Sequence, residues 1–299
     1  MPVYNGADYL GKAIESALSQ TYENKEIIVI NDGSDDGGAT AAVIASFGDR
    51  INAFYKENGG VSSALNLGLS KMKGEYFVWL SHDDAFYPEY LERQVAMLNE
   101  VDGADGNTVI CCQTELMDAS GKTLFRPYTP MCGMKSGDEI YRHLVSGGNI
   151  CYFTMLIPRS VVSMVPPFDS RYKYVQDKQY WKSLAKLGCR FFFYGEKLCR
   201  LRTYRGQLSE KLKHIYKGEM HEYLKPDIES LRADYDRSLA EAILTYSAKR
   251  KLNVVKGEMK ALLRSHGDYS FKTAFRCAYI RFKYLTRQFL KKIYLLGRG

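Results

Sequence analysis

The run Lys25-Glu26-Ile27-Ile28-Val29-Ile30-Asn31-Asp32-Gly33-Ser34 decides how the rest of the chain is read. Four consecutive β-branched residues make a short strand, and Asp-Gly-Ser closes it with a turn. Upstream, residues 7–20 carry Leu10, Ile14, Ala17 and Leu18 at helical spacing. Downstream the alternation repeats: helix over 36–47, strand over 51–55, helix over 61–72, strand over 75–80, helix over 88–99 and strand over 108–113. Pro88 suits a first helical turn, and Gly59-Gly60 and Gly74 sit between elements. Strands that alternate with helices predict an α/β fold, a mainly parallel sheet flanked by helices on both faces.

Beyond the turn at Asp118-Ala119-Ser120-Gly121 the pattern is less regular. Residues 136–145 and 176–187 read as helices, and 152–157, 189–194 and 197–202 as strands. From about residue 206 the chain reads as helical and highly charged. The expected division is therefore a catalytic domain over 1–209, with halves 1–115 and 116–209, followed by a helical extension over 210–299.

The 299 residues are 45% hydrophobic and 25% charged with only 8 prolines, so disorder and collagen-like architecture are excluded. Apolar runs such as 76–80 and 151–157 fall far short of the roughly 20 residues a spanning helix needs. The opening Met-Pro-Val-Tyr-Asn-Gly has no secretory character, which predicts a cytoplasmic protein. Seven cysteines form no C-x-x-C pair and lie mostly in apolar runs, as reduced structural thiols do. The five histidines show no HExxH spacing, so a zinc site has no support.

Open parallel sheets bind ligands beyond the carboxyl ends of their strands. Three polar clusters fall there: Pro2-Val3-Tyr4-Asn5-Gly6, Asn31-Asp32-Gly33-Ser34 and Ser81-His82-Asp83-Asp84. Asp32 before Gly-Ser also suits a plain turn or N-cap. An N-cap for the helix at Pro88 accounts for at most one of Asp83 and Asp84. Two adjacent acids repel unless solvated or neutralised, and a divalent cation bridging them to phosphate is the usual remedy.

Together these segments resemble glycosyltransferase family 2, which has a GT-A fold and transfers sugars from nucleotide sugars with inversion. The matching residues are Pro2 to Gly6, Ala17-Leu18-Ser19-Gln20-Thr21-Tyr22, Glu26 to Ser34, Asn58-Gly59-Gly60-Val61 with Ala64-Leu65-Asn66, and Ser81 to Asp84. The resemblance runs to about residue 209. It implies that Tyr4, beside Pro2, stacks on the base, which it favours as uracil, and that Asp32 accepts a hydrogen bond from it. It also implies that Asp83 and Asp84 bind the diphosphate through Mg²⁺ or Mn²⁺, with Ser81 standing where many members have a further acid. Asp177, in Tyr174-Val175-Gln176-Asp177, matches the family's general base. Without the resemblance it reads as an ordinary acid in a first helical turn. Arg202-Thr203-Tyr204-Arg205 matches a segment with Arg-x-His in relatives, so a phosphate contact there leans on Arg202 or Arg205 because Tyr204 carries no charge at neutral pH. Residues 147–153 and 166–176 are expected to shape the acceptor pocket. Relatives also carry a hydrophobic strand before Pro-Val-Tyr-Asn, whereas one residue precedes Pro2 here. The start is therefore expected to be truncated or assigned late, with neighbouring strand edges exposed.

The implied function is metal-assisted inverting transfer from a nucleoside-diphosphate sugar to a glycan or lipid-linked saccharide. A nucleotide-sugar-binding protein without turnover is the alternative. A nucleotidyltransferase would carry a Gly-rich basic loop after its first strand, and Asn5-Gly6-Ala7-Asp8 is not one.

The net charge of +8 resides in the tail: the last acid is Asp268, and eight basic residues follow Phe271. Over 271–296, Phe271, Ala274, Phe275, Ala278, Phe282, Leu285, Phe289, Ile293 and Leu296 share one helical face, flanked by Arg281 and Lys292. A basic amphipathic helix of this kind suits an anionic membrane surface, as a peripheral protein at the inner face of the cell membrane. The stripe can equally pack on the protein's own core. Nucleic acid is not expected, since the body is neutral and carries no recognition motif.

Overall fold

The computed structural model describes residues 1–101, 106–124 and 131–296, without the side chains of 281 and 287–296. The chain divides into two compact units, Met1–Tyr141 with Ile150–Lys213, and Arg142–Asn149 with the chain from His214 onward.

The first unit begins β1 (Pro2–Val3), α1 (Ala7–Leu18), β2 (Ile28–Asp32), α2 (Ala39–Ala45), β3 (Asn52–Lys56) and α3 (Gly60–Lys71). β1, β2 and β3 form one parallel sheet. Val29 and Ile30 are buried in it, and Val3, Leu10, Ile14, Ile44, Phe47 and Ile51 pack around Val29 as a core. Then come β4 (Tyr76–Phe77), β5 (Ala85–Phe86), α4 (Tyr90–Val101), β6 (Thr108–Met117), β7 (Thr123–Leu124), β8 (Gly133–Lys135), α5 (Gly137–Val145, contributing to both units), β9 (Met155–Pro158), α6 (Arg159–Ser163), α7 (Gln176–Lys186), β10 (Arg190–Arg202) and α8 (Leu208–Lys211). The second sheet runs β4-β9-β6-β10-β5, with β7 on β6 and β8 on β10. Only β6 and β10 are parallel in it, so the expected parallel arrangement is realised in the first sheet and the second is mixed.

Two differences from the sequence reading bear on the site. The apolar run 75–80 pairs only at Tyr76–Phe77, because Val78, Trp79 and Leu80 leave the ladder with Trp79 and Leu80 buried, delivering Ser81 to Asp84 to the sheet end. The two strands expected over 189–202 are one, β10, with register shifts between Phe193 and Cys199. Such irregularities re-aim a strand, and Arg200 to Arg202 thereby run beside β6 to the level of Met117.

The first strand exists as two residues. The Met1 amino group donates to the Ile28 carbonyl (2.7 Å), and Ile30 N–H donates to the Met1 carbonyl. Burial pushes that amino group down to about 5 from 8.0. Beside it lies a cavity of about 560 Å³ lined by β2 residues Ile28 and Ile30, by Tyr76 to Leu80, and by α3 residues Ala64, Leu65 and Gly68.

The second unit holds α9 (Tyr216–Ala233), α10 (Arg237–Arg250), α11 (Asn253–Ser265) and α12 (Phe271–Leu296). Asp236 caps α10 by accepting from Leu239 N–H (3.0 Å) and binds Arg142 (2.6 Å). No described helix is long and apolar enough to cross a membrane.

Candidate active site

The ends of β1 and β2 clasp one another. Asn5 adopts φ 49°, and its side chain and backbone exchange hydrogen bonds with Ser34 and Asp35. Tyr4 is exposed and donates to Asp35 Oδ1 (3.0 Å), which raises the phenol's pKa. Its ring is thus held at the rim of the sheet. Pro2 is buried in the ladder behind it.

Asp32 is only 4% exposed. Its Oδ1 accepts from Gly59 N–H (3.0 Å) and Lys56 Nζ (2.6 Å), and Oδ2 from Gly60 N–H (2.7 Å). Gly60, at φ +83°, lets α3 start against this carboxylate, where the helix dipole favours negative charge. Asp32 is thus tied to the start of α3, while the turn after β2 is closed by Ser34 N–H donating to Asn31 Oδ1 (2.9 Å), and Lys56 is a neighbour no motif had singled out.

Asp84 is buried. Its Oδ1 accepts from Arg202 N–H (2.9 Å) and its Oδ2 from Tyr152 Oη (2.7 Å). Desolvation, with the adjacent Asp83 charge, pushes its carboxyl up to about 8. Asp83 accepts from Tyr204 Oη (3.3 Å) and Gln207 Nε2 (3.4 Å) on one oxygen. Arg202 is buried and directs its guanidinium to the carbonyls of Asp83 (2.8 Å), Asp118 (3.2 Å) and Ala119 (3.0 Å), lying 4.5 Å above the Tyr9 ring. It braces the acidic loop. Tyr9 in turn packs on Tyr204 at 5.1 Å. His82 is pushed down by burial, and a Cβ on Gly6 would meet its ring at 2.4 Å, so the glycine permits the close approach of the two loops.

Asp177 lies in the first turn of α7, accepting from Lys178 N–H (2.7 Å), and burial raises its pKa. Burial raises the pKa of the Cys151 thiol, with the Asp84 and Asp177 charges contributing in the same direction. The segment before α7 is fastened to α3 by Asn66, which donates to Phe168 carbonyl (2.9 Å) and accepts from its N–H (2.8 Å). Asn66 belongs to the sequence motif, and this is what its amide does here.

No cluster of three or more metal-binding side chains occurs among the described residues. Two carboxylates suffice for Mg²⁺ when substrate phosphates supply further oxygens. The donors to Asp83, Tyr204 Oη and Gln207 Nε2, are neutral, and each bonded Asp84 oxygen keeps a second lone pair. The donor set therefore fits a hard divalent cation. Tyr9, Gln207 and Lys56 escaped the sequence reading, and Tyr152, within the stretch 147–153 expected to shape the acceptor pocket, was not foreseen as a donor to Asp84. Tyr152 lay in an expected strand, and the others reach the acids only through the fold.

A profile of the family described as "Glycosyl transferase family 2" matches residues 1–153. An uncharacterized glycosyltransferase of Rickettsia prowazekii is 36% identical over 250 residues, covering 81% of this chain and 76% of that protein. One of Rickettsia typhi is 43% identical over 194 residues, covering 64% and 59%. The chain spans 28% of the length of a Rickettsia bellii relative with 43% identity over 197 residues. Among solved structures, S. aureus TarS 1-349 in complex with UDP matches at TM-score 0.61 and 15% identity, covering 99% of this chain and 90% of that one. The same protein in complex with UDP-GlcNAc matches at TM-score 0.64 and 14% identity, covering 95% and 78%. At that identity the likeness shows the fold.

Proposed function

The chain belongs to glycosyl transferase family 2, and on that premise we propose that its first unit transfers a sugar, with inversion, from a nucleoside-diphosphate sugar to a hydroxyl of a glycan or lipid-linked saccharide. The UDP and UDP-GlcNAc bound by the TarS structures support a uridine donor. Tyr4, exposed at the rim beside Pro2, stacks on the base, and Asp32 accepts from it. Asp83 and Asp84 would hold Mg²⁺ or Mn²⁺, which would supply positive charge for the diphosphate, and Arg202 keeps their loop in place. The cation, when bound, offsets the negative charge that builds on the departing nucleoside diphosphate.

The acceptor oxygen attacks the anomeric carbon from the face opposite the leaving group. Its proton passes to the Asp177 carboxylate, the bond from the anomeric carbon to the phosphate oxygen breaks, and its electron pair leaves with the nucleotide. A carboxyl raised by burial is a better base at neutral pH than an exposed one. The observation that carries this reading is the acidic loop at the sheet end, where Asp84 is held by Tyr152 and Arg202 and Asp83 by Tyr204 and Gln207. The acceptor would be met by a peripheral protein at the inner face of the membrane.

Thermal unfolding with UDP, GDP, CMP and ADP, each with and without Mn²⁺, tests the donor. Ligand at about 100 times its Kd should add roughly 2.7 kcal/mol. The expected result is a Mn²⁺-dependent shift with UDP, abolished in Asp83→Ala. Asp177→Asn should retain the shift and lose UDP-sugar turnover in the presence of acceptor saccharides. Turnover unchanged in Asp177→Asn would overturn the assignment of the base, and binding with no turnover in either protein would favour the binding-protein alternative.

A further inference from the structure

The last helix, α12, exposes its most apolar stripe and buries another. Phe271, Phe275, Ala278, Phe282 and Leu285 recur at i, i+4, i+7, i+11 and i+14, the spacing of a single helical face. All five are exposed, with Phe271 at 86%, Phe275 at 64% and Phe282 at 69%. The stripe two positions on, Thr273, Cys277 and Tyr284, faces α10 instead. Thr273 and Cys277 are buried, Cys277 Sγ lies 4.0 Å from Thr245 Oγ1, and Tyr284 Oη accepts from Arg250 Nη1 (3.1 Å). Between them runs a third row, Lys272, Arg276 and Lys283, also exposed. Among the described residues, the expected stripe, apart from the half-buried Ala274, is thus not the surface by which this helix packs on its own unit. The side chains of Phe289, Ile293 and Leu296, and of Arg281 and Lys292, lie outside the described residues.

We propose that the Phe271, Phe275 and Phe282 face of α12 is a docking surface for an anionic lipid bilayer, lying in the plane of the interface with the Lys272, Arg276 and Lys283 row against the headgroups. The occupant is identified by charge and shape. No acid follows Asp268 while eight bases follow Phe271, which complements a negative leaflet. Three aromatic rings on one face suit the depth at which interfacial helices sit. A helix of 26 residues is about 39 Å long, yet no described helix is apolar enough to cross, so it lies along the surface. The inference stands on α12 alone and does not depend on the reaction assigned to the first unit.

The test is co-sedimentation of the full chain with vesicles of phosphatidylcholine containing 30% phosphatidylglycerol, against pure phosphatidylcholine. Binding is expected only to the anionic vesicles, weakening steeply in 0.5 M NaCl. Phe271→Ser/Phe275→Ser/Phe282→Ser should lower the partition coefficient at least about tenfold, and Lys272→Gln/Lys283→Gln by roughly fivefold per residue. Because all these side chains point outward, unfolding temperatures should not move. Equal binding to neutral vesicles, or wild-type partitioning in the triple serine variant, would overturn the proposal. So would a concentration-dependent dimer in sedimentation velocity that the triple variant dissolves, which would assign the stripe to a second copy.

Discussion

Replacing Asp84 by asparagine separates what this residue does for stability from what it does for transfer. Burial holds its carboxyl at about 8 against an ordinary 3.8. With the folded value raised, the unfolded chain ionises first, so stability is full below about pH 4 and falls as pH rises towards about 8. At pH 7 the separation of roughly three pH units corresponds to at most about 4 kcal/mol. Asparagine escapes that loss and keeps both bonds, its oxygen accepting from Arg202 N–H and its amide donating to Tyr152 Oη. Without divalent ions, Asp84→Asn should therefore unfold several degrees above the parent at pH 7.5, since each kcal/mol shifts Tm by about 2–4 °C in a protein of this size. The gap should close near pH 4. The assay is thermal unfolding across pH 4–8.5 in EDTA, paired with a transfer assay in which the variant is inactive. Calorimetry in buffers of different ionisation enthalpy should also show about one proton released when UDP and Mn²⁺ bind the parent at pH 7, because a ligating carboxylate is deprotonated. A stability gap that does not vary with pH would refute the reasoning.

Lys56→Met strips the buried Asp32 carboxylate of its ion pair and should destabilise by about 1–3 kcal/mol in urea unfolding, with a smaller UDP-induced shift. Gly6→Ala presses a methyl on the His82 ring and on Val3 and should lose about 1–3 kcal/mol. His82→Ala in the same chain should recover part of that, a coupling visible in a double-mutant cycle.

The first sheet was legible because its signals are local. Ile27 to Ile30 announce β2 by composition, and Gly59-Gly60 mark the start of α3 in the sequence itself. The second sheet was less so. Val78 to Leu80 look like a strand by composition, and only tertiary packing decides that they leave the ladder. The acids at Asp83 and Asp84 were visible as a pair, yet their different situations were not. Tyr152 and Arg202, which engage Asp84, lie 68 and 118 residues away. The same holds for α12, where periodicity located an apolar stripe but the choice of buried face belongs to α10.

Among the described residues no ladder hydrogen bond joins the β1-β2-β3 sheet to the sheet that begins at β4. In mechanical terms, the two sheets are coupled across that seam through α1, the Thr21 N–H to Pro88 carbonyl bond and the packed core rather than by a continuous hydrogen-bonded lattice. Gln20 is one such tie, its amide donating to the Tyr87 carbonyl (2.8 Å) and its oxygen accepting from Leu91 N–H (3.0 Å). Shear between the end that carries Tyr4 and Asp32 and the end that carries Asp83 and Asp84 is therefore resisted by α1 and its packing rather than by any strand, and Gln20 is a place where that resistance can be altered with every strand left intact.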